Sequence, residues 1–275
     1  MKIARGKLAN GEVSWLEVST DSAPTIYRRL KGNLFQDKME VEEEVEVSEL
    51  LTPIEPRVII CIGLNYRSHA ESIGIDPPKW PVIVPKGINA VLAAEQPILL
   101  PRALASHKVD YEGELAVIIG RDCKNATPKN ALEYVLGYTC VNDVSARDWQ
   151  FEWGGGQWAR GKQFDTFCPL GPWLVTADEI PDPSILQLET RVNGDLRQRS
   201  SLKHLIFSVP ELITFLSGSS TLVAGTVILT GTPFGVGMKQ DPPSWLKEGD
   251  LVQVEIDRIG LLSNRVATEA EAIAS

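Results

Sequence analysis

Glu112 and Glu114 stand two residues apart in the run Val109-Asp-Tyr-Glu-Gly-Glu-Leu-Ala-Val-Ile-Ile-Gly120. In an extended chain, residues two apart point to the same face. The two carboxylates therefore aim together from the mouth of an apolar strand that runs through Leu115, Val117, Ile118 and Ile119. Like charges beside apolar surface repel each other and are costly to desolvate unless a proton or a cation lies between them. Asp143 offers a third carboxylate where the strand-like run Gly137–Asn142 gives way to a polar loop. An all-oxygen set of this kind suits Mg²⁺, Mn²⁺ or Ca²⁺ better than zinc, and it leaves positions for water or a chelating substrate. Three unrelated surface acids is the alternative reading of the spacing.

Other candidates surround this set. His69, in Leu64-Asn-Tyr-Arg-Ser-His-Ala-Glu-Ser72, follows a buried-type strand and is a candidate general base, or else a partly exposed helix histidine. Arg147 and Gln150 share one helical face if the chain turns helical from Ser145. The glycine-rich stretch 154–165 is not a P-loop, since GxxxxGK[ST] is absent, and reads as a loop. Lys162 follows those glycines and matters only if it points inward. Neither GxSxG nor HExxH occurs, so serine-nucleophile and zinc-protease readings have no basis.

The elements that must position these groups are mostly strands. Runs of β type recur at Pro81–Pro85, Pro97–Leu100, Gly113–Gly120, Gly137–Asn142, Trp173–Thr176, Gln187–Val192, Thr226–Thr230 and Leu251–Ile256. Helix starts are predicted at Thr127 and Ser208, each followed closely by proline. Strands without regular helical alternation argue against a doubly wound sheet and for a mixed, mostly β roll with short helices. Residues 1–55 read as a small N-terminal β module, and residues 56–275 as the β body that carries the candidate metal ligands. The acidic run Glu40–Glu46 reads as a solvated edge. Trp149, Phe151, Trp153 and Trp158 either pack the loop between Asp143 and Lys162 or line an apolar acyl pocket; packing is favoured.

With 275 residues, 43% hydrophobic and 23% charged, the chain is of ordinary globular composition. Its net charge of −9 and lack of a basic block argue against a nucleic-acid or anionic-membrane partner. An anionic substrate must then be attracted locally. No apolar stretch of about 18 residues is available to span a bilayer, and the N-terminus lacks a signal peptide's apolar core; a cytoplasmic location is expected. Cys61, Cys123, Cys140 and Cys168 form no CxxC pair and are expected to be reduced, buried thiols.

Taken together, five segments resemble the fumarylacetoacetate hydrolase superfamily. They are Cys61–His69, Asp110–Val117, Gly137–Asp148, Lys162–Pro172 and Ile228–Gly237, in the family's order, and the resemblance spans roughly residues 57–260. It implies Mg²⁺ or Mn²⁺ held by Glu112, Glu114 and Asp143, in a homodimeric mixed β-roll of the family's C-terminal type. It makes His69 the catalytic base on a short lid helix and Lys162 the cation near a substrate oxyanion. Arg147, Gln150 and Thr232 match substrate-touching positions, and Lys86 keeps its place although the loop beside it is changed. Many members carry a glutamate three residues after the histidine; here that position is Ser72, with Glu71 one residue earlier.

The activity this implies is metal-dependent hydrolytic C–C cleavage of a 2,4-dioxo acid, an acylpyruvate-like keto or diketo acid, to pyruvate and a carboxylate. His69 would activate the water, and the metal and Lys162 would stabilise the enolate. The Ser72 departure favours a rival on the same scaffold: oxaloacetate decarboxylation, or a related keto-acid lyase or isomerase reaction needing no attacking water. A non-catalytic metal- or keto-acid-binding protein is the third reading.

Overall fold

A computed structural model describes residues 1–20, 25–36, 39–72, 74 and 76–270, except for the side chain of His69. Its main element is a twelve-stranded sheet whose centre is built from Cys168–Thr176, Val135–Asn142, Gly113–Ile119, Thr226–Leu229 and Val58–Gly63. The fold is mostly β with open, mixed sheets, as expected. The strand Gly113–Ile119 lies antiparallel between Val135–Asn142 and Thr226–Leu229, and Thr226–Leu229 runs parallel to Val58–Gly63. Every residue of Gly113–Ile119 is buried, which is the burial expected of a near-continuous apolar run covered on both faces.

Alternation assigns the two faces. Ala116 and Ile118 pack into one apolar cluster with Phe167, Leu170 and Val227. Leu115, Val117 and Ile119 pack into another with Leu188, Val254 and Leu262. This second cluster is closed by a five-stranded sheet in the order Asp195–Ser201, Gln187–Val192, Leu251–Ile256, Gly260–Thr268 and Ile98–Leu100. The approach is tight at Gly113, where an added Cβ would lie 2.0 Å from Thr190 Oγ1. Glycine is therefore required between the two glutamates, because the second sheet presses directly on the chain there.

The N-terminal strand Lys2–Leu8 pairs with Cys168–Thr176, and Val13–Ser19, Ile26–Lys31 and Glu40–Glu44 continue the main sheet beyond it. Glu40–Glu44 is an exposed strand at the end of the sheet path. Of the two predicted helices, Val209–Ser217 forms, and Glu211 accepts hydrogen bonds from the Ser208 backbone N–H and hydroxyl. The prediction at Thr127 requires correction. Both the N–H and the hydroxyl of Thr127 donate to the Asn130 side chain, at 2.8 and 3.0 Å, and only the short 3₁₀ turn Ala131–Tyr134 follows. An asparagine side chain that satisfies local donors closes a turn instead of an α-helix. All four cysteines are free and buried, as anticipated. Among the described residues, no helix is long and apolar enough to cross a membrane.

Candidate active site

The three carboxylates meet where two neighbouring strands end. Gly113 pairs with Asn142, the Glu112 N–H donates to Asn142 Oδ1 at 2.9 Å, and the Asp143 N–H donates to the Glu112 carbonyl at 2.8 Å. These bonds fix the backbone on both sides of the cluster. Glu112, Glu114 and Asp143 are buried, and each offers a carboxylate oxygen within 4.8 Å of the others. They line a cavity of about 240 Å³ together with Arg147, Gln150, Lys162 and Thr232. Six of the residues singled out in the sequence therefore share a wall with Glu114, and the volume lies below that of pockets for drug-sized ligands, which suits a small metabolite.

Lys162 does point inward. It lies in the 3₁₀ turn Trp158–Lys162, and its ammonium donates to Glu112 Oε2 at 2.7 Å, Asp143 Oδ2 at 2.6 Å and Ser145 Oγ at 2.8 Å. Burial alone would lower its pKa, but attraction from Asp143 and Glu112 outweighs that and raises it. The group is a permanent cation and donor. Arg147 donates from Nε to Asp110 Oδ2 at 2.9 Å and from Nη1 to Gln150 Oε1 at 2.9 Å, and Nη1 also lies 2.7 Å from Glu112 Oε1. The expected Arg147–Gln150 contact is present, but the helical start at Ser145 is corrected: Ser145–Ala146 pairs as a short strand with Val109–Asp110, and the π-helical turn is Asp148–Glu152, with Arg147 as its N-cap. The Arg147 Nη2 is buried without a hydrogen-bond partner among the described residues.

Glu114 differs from its two neighbours. Its Oε2 accepts the Gly231 N–H at 2.6 Å, while the nearby ammonium and guanidinium groups bond Glu112, Asp143 and Asp110 instead. Gly231 has φ +99°, and an added Cβ would lie 2.7 Å from Asn65 Cβ, so this donor needs glycine. Burial, Asp143 and Glu112 raise the Glu114 pKa well above the usual carboxylate value, more than Lys162 and the Gly231 N–H can lower it. A buried carboxylate with one N–H partner and two acidic neighbours fits a hard divalent cation ligated by oxygen. The site can therefore hold such an ion through Glu112, Glu114 and Asp143.

Lys86 lies behind this wall, outside the cavity lining. Its ammonium sits 2.8 Å from Asp143 Oδ1 and donates to the carbonyls of Phe167 and Val144 at 2.6 and 3.2 Å. Lying behind the wall, tied to two backbone carbonyls and ion-paired with Asp143, it buttresses Asp143 instead of facing a substrate. Thr232 lines the cavity and is held by donation to the Gly113 carbonyl at 3.0 Å and by a 2.7 Å bond from Gln198 Nε2. His69 lies in the helix Arg67–Ser72, and its side chain is outside the described residues. Phe151 and Trp158 line the cavity, whereas Trp149 and Trp153 stack edge-to-face on each other. The expectation that this aromatic group only packs its loop is thus corrected for the first pair.

Three contributors were not singled out from sequence. Gln198 accepts the Gly113 N–H at 3.0 Å and also bonds Thr232. Asp110 accepts from Arg147 and from the N–H groups of Tyr111, Gly237 and Met238. Ser145 holds Lys162. An acid inside the buried-type run Val109–Val117 was the available signal for Asp110; nothing local marked Gln198.

The fumarylacetoacetate (FAA) hydrolase C-terminal family model matches residues 58–267. A mitochondrial oxaloacetate tautomerase of Xenopus laevis is 48% identical over 218 residues, covering 79% of this chain and 68% of its own. A protein of Archaeoglobus fulgidus is 46% identical over 243 residues, covering 85% of this chain and 92% of its own. Among solved structures, a 5-carboxymethyl-2-hydroxymuconate delta-isomerase from Mycobacterium smegmatis superposes with a TM-score of 0.85 at 37% identity, covering 98% of this chain and all of that one. A fumarylacetoacetate hydrolase from Exiguobacterium antarcticum gives a TM-score of 0.85 at 36% identity, with the same coverage.

Proposed function

Because the chain belongs to the fumarylacetoacetate hydrolase family, we propose that it is an enzyme of keto–enol chemistry: a tautomerase interconverting the enol and keto forms of a short 2-oxo acid of the oxaloacetate class. The observation that carries this reading is the state of Lys162, an ammonium locked in its charged form by two carboxylates within the cavity. A group held in this way cannot act as a base. It is suited to stabilising negative charge on a substrate oxygen, and charge grows there as a proton moves between that oxygen and C3.

Tautomerisation neither adds nor removes atoms. One proton leaves the enol oxygen, another is delivered to C3, and no water is consumed. A divalent cation held by Glu112, Glu114 and Asp143 would supply Lewis-acid polarisation of the 2-oxo group. Arg147 would bind a carboxylate oxygen of the substrate through its unpartnered Nη2. Gln150, fixed by Arg147, and Thr232, fixed by Gln198, would orient the substrate beside it. We assign His69 as the group that exchanges the proton with C3, from its place on the helix following the Val58–Gly63 strand. Ser72, where a water-activating glutamate would otherwise stand, suits a reaction without water.

Hydrolysis of an acylpyruvate is the second reading. It is favoured by the Phe151 and Trp158 side chains on the cavity wall, which would accommodate an apolar acyl group. Product analysis separates the readings. Metal-loaded protein is given enol oxaloacetate and, separately, acetylpyruvate. Accelerated loss of enol absorbance with oxaloacetate intact supports the tautomerase. Acetate plus pyruvate would replace it with the hydrolase, and CO₂ plus pyruvate with the decarboxylase. Metal binding without turnover of any keto acid would leave a binding protein.

A further inference from the structure

One charged group on the cavity wall has no part in this scheme. Lys239 lines the same cavity as Glu112, Glu114 and Asp143, at the end of the 3₁₀ turn Gly237–Lys239. The other cations on the wall are neutralised, Lys162 by Glu112 and Asp143 and Arg147 by Asp110 and Glu112. Among the described residues, the Lys239 side chain makes no ion pair or hydrogen bond. It is half-buried, and its backbone is fixed. The N–H groups of Gly237 and Met238 donate to Asp110 at 2.7 and 3.1 Å, and the Lys239 N–H donates to the Val236 carbonyl at 3.0 Å. An added Cβ at Gly237 would lie 2.1 Å from the Ser244 carbonyl oxygen, so the turn is pressed against its neighbour. Asp110 also holds Arg147. One buried carboxylate therefore sets both the guanidinium and the turn that carries the free ammonium.

Charge balance indicates the use of that ammonium. With a divalent cation bound, Asp110, Glu112, Glu114 and Asp143 carry four negative charges, Lys86, Lys162 and Arg147 carry three positive ones and the ion carries two. The site is then at +1, and one substrate carboxylate brings it to neutrality. A second carboxylate would be uncompensated without a further cation, and among the described residues Lys239 is the cation on the wall that is unpaired. Resting on the tautomerase reading, we propose that Lys239 recognises the carboxylate of a dicarboxylic 2-oxo acid that lies remote from the acidic cluster. It thereby sets a preference for dianionic over monoanionic substrates.

The test compares wild type, Lys239→Met and Lys239→Arg, each as the full chain loaded with Mg²⁺. Calorimetric titration uses freshly dissolved oxaloacetate, 2-oxobutanoate (a methyl in place of the remote carboxylate) and oxalate, which lacks a remote group. Turnover of the two keto acids is followed in parallel. A charged hydrogen bond of this kind corresponds to a change of about ten- to a hundredfold. Lys239→Met should weaken oxaloacetate binding and kcat/KM by that factor, leave 2-oxobutanoate and oxalate within about twofold, and be rescued by arginine. Equal weakening of all three ligands would make Lys239 merely structural, and no change for oxaloacetate would remove it from recognition; either overturns the proposal. If wild type binds oxaloacetate selectively but turns over nothing, the reaction reading fails while the role of Lys239 stands. If wild type does not discriminate between the two keto acids, the role falls whatever the turnover.

Discussion

Replacing Glu114 by glutamine should change how stability depends on pH more than it changes the fold. The side chain is buried, so an amide of nearly equal volume fills its place and can keep the Gly231 N–H bond. Its pKa in the folded protein is raised above the ordinary 4.5 by burial and by Asp143 and Glu112. Below that ordinary value both folded and unfolded chains hold the proton. As pH rises, the unfolded chain releases it first, so the metal-free fold loses stability until the folded pKa is passed. One differential proton corresponds to a slope of about 1.4 kcal/mol per pH unit. At about 2.1 cal/mol/K per residue, a chain of 275 residues has an unfolding entropy near 0.6 kcal/mol/K, which converts the slope to about 2 °C per pH unit. A divalent cation replaces the proton, so metal-induced stabilisation should grow with pH across the same window. Melting curves with EDTA, and with Mg²⁺ or Mn²⁺, from pH 5 upward check this. In Glu114→Gln the extra slope should vanish, the metal-free protein should melt higher than wild type at neutral pH, and the metal increment should collapse. A wild-type profile identical to that of Glu114→Gln would refute the argument that Glu114 is the acid lacking a counter-cation.

Other perturbations follow from the same contacts. Lys162→Met should lower kcat by about 100- to 1000-fold with a much smaller change in KM, since it removes a positive charge fixed beside the site where negative charge develops; steady-state kinetics reads the split. Lys86→Met leaves Asp143 without its buttress and breaks a buried pair, costing about 3 kcal/mol or more, read as a loss of about 5 °C in thermal melting. Gly113→Ala forces a Cβ against Thr190 Oγ1 and should cost about 1–3 kcal/mol by overpacking. Adding Thr190→Ala should recover part of it, because that hydroxyl has no hydrogen-bond partner to lose among the described residues.

What the sequence revealed and what it hid divide along the range of the interactions. Glu112 and Glu114 were legible because strand periodicity is local, and Asp143 because it ends a strand that must pair with theirs. Arg147 and Gln150 were legible for the same reason, since a turn of helix sets their contact. Lys162 was locatable by resemblance, but its inward direction depends on Ser145 and on carboxylates 19 and 50 residues away. Lys86 shows the opposite outcome. Its strand was foreseen, yet its ammonium reaches a carbonyl 81 residues on, at Phe167, and so lies behind the wall. Gln198 belongs to the second sheet and meets Gly113 across 85 residues, a tertiary contact that leaves no pattern in its own neighbourhood. At Thr127, local side-chain bonding defeated a helix signal that was otherwise well formed.

The central claim is that the acidic cluster and Lys162 serve proton transfer at C3 with the carbon skeleton intact. Proton NMR of oxaloacetate in D₂O with catalytic protein tests it most directly. The account predicts metal-dependent loss of the C3 proton signal, faster than without protein, abolished by EDTA and strongly slowed in Lys162→Met, while the four-carbon skeleton persists. Appearance of pyruvate at the rate of C3 exchange, or exchange no faster than in protein-free solution, would contradict it.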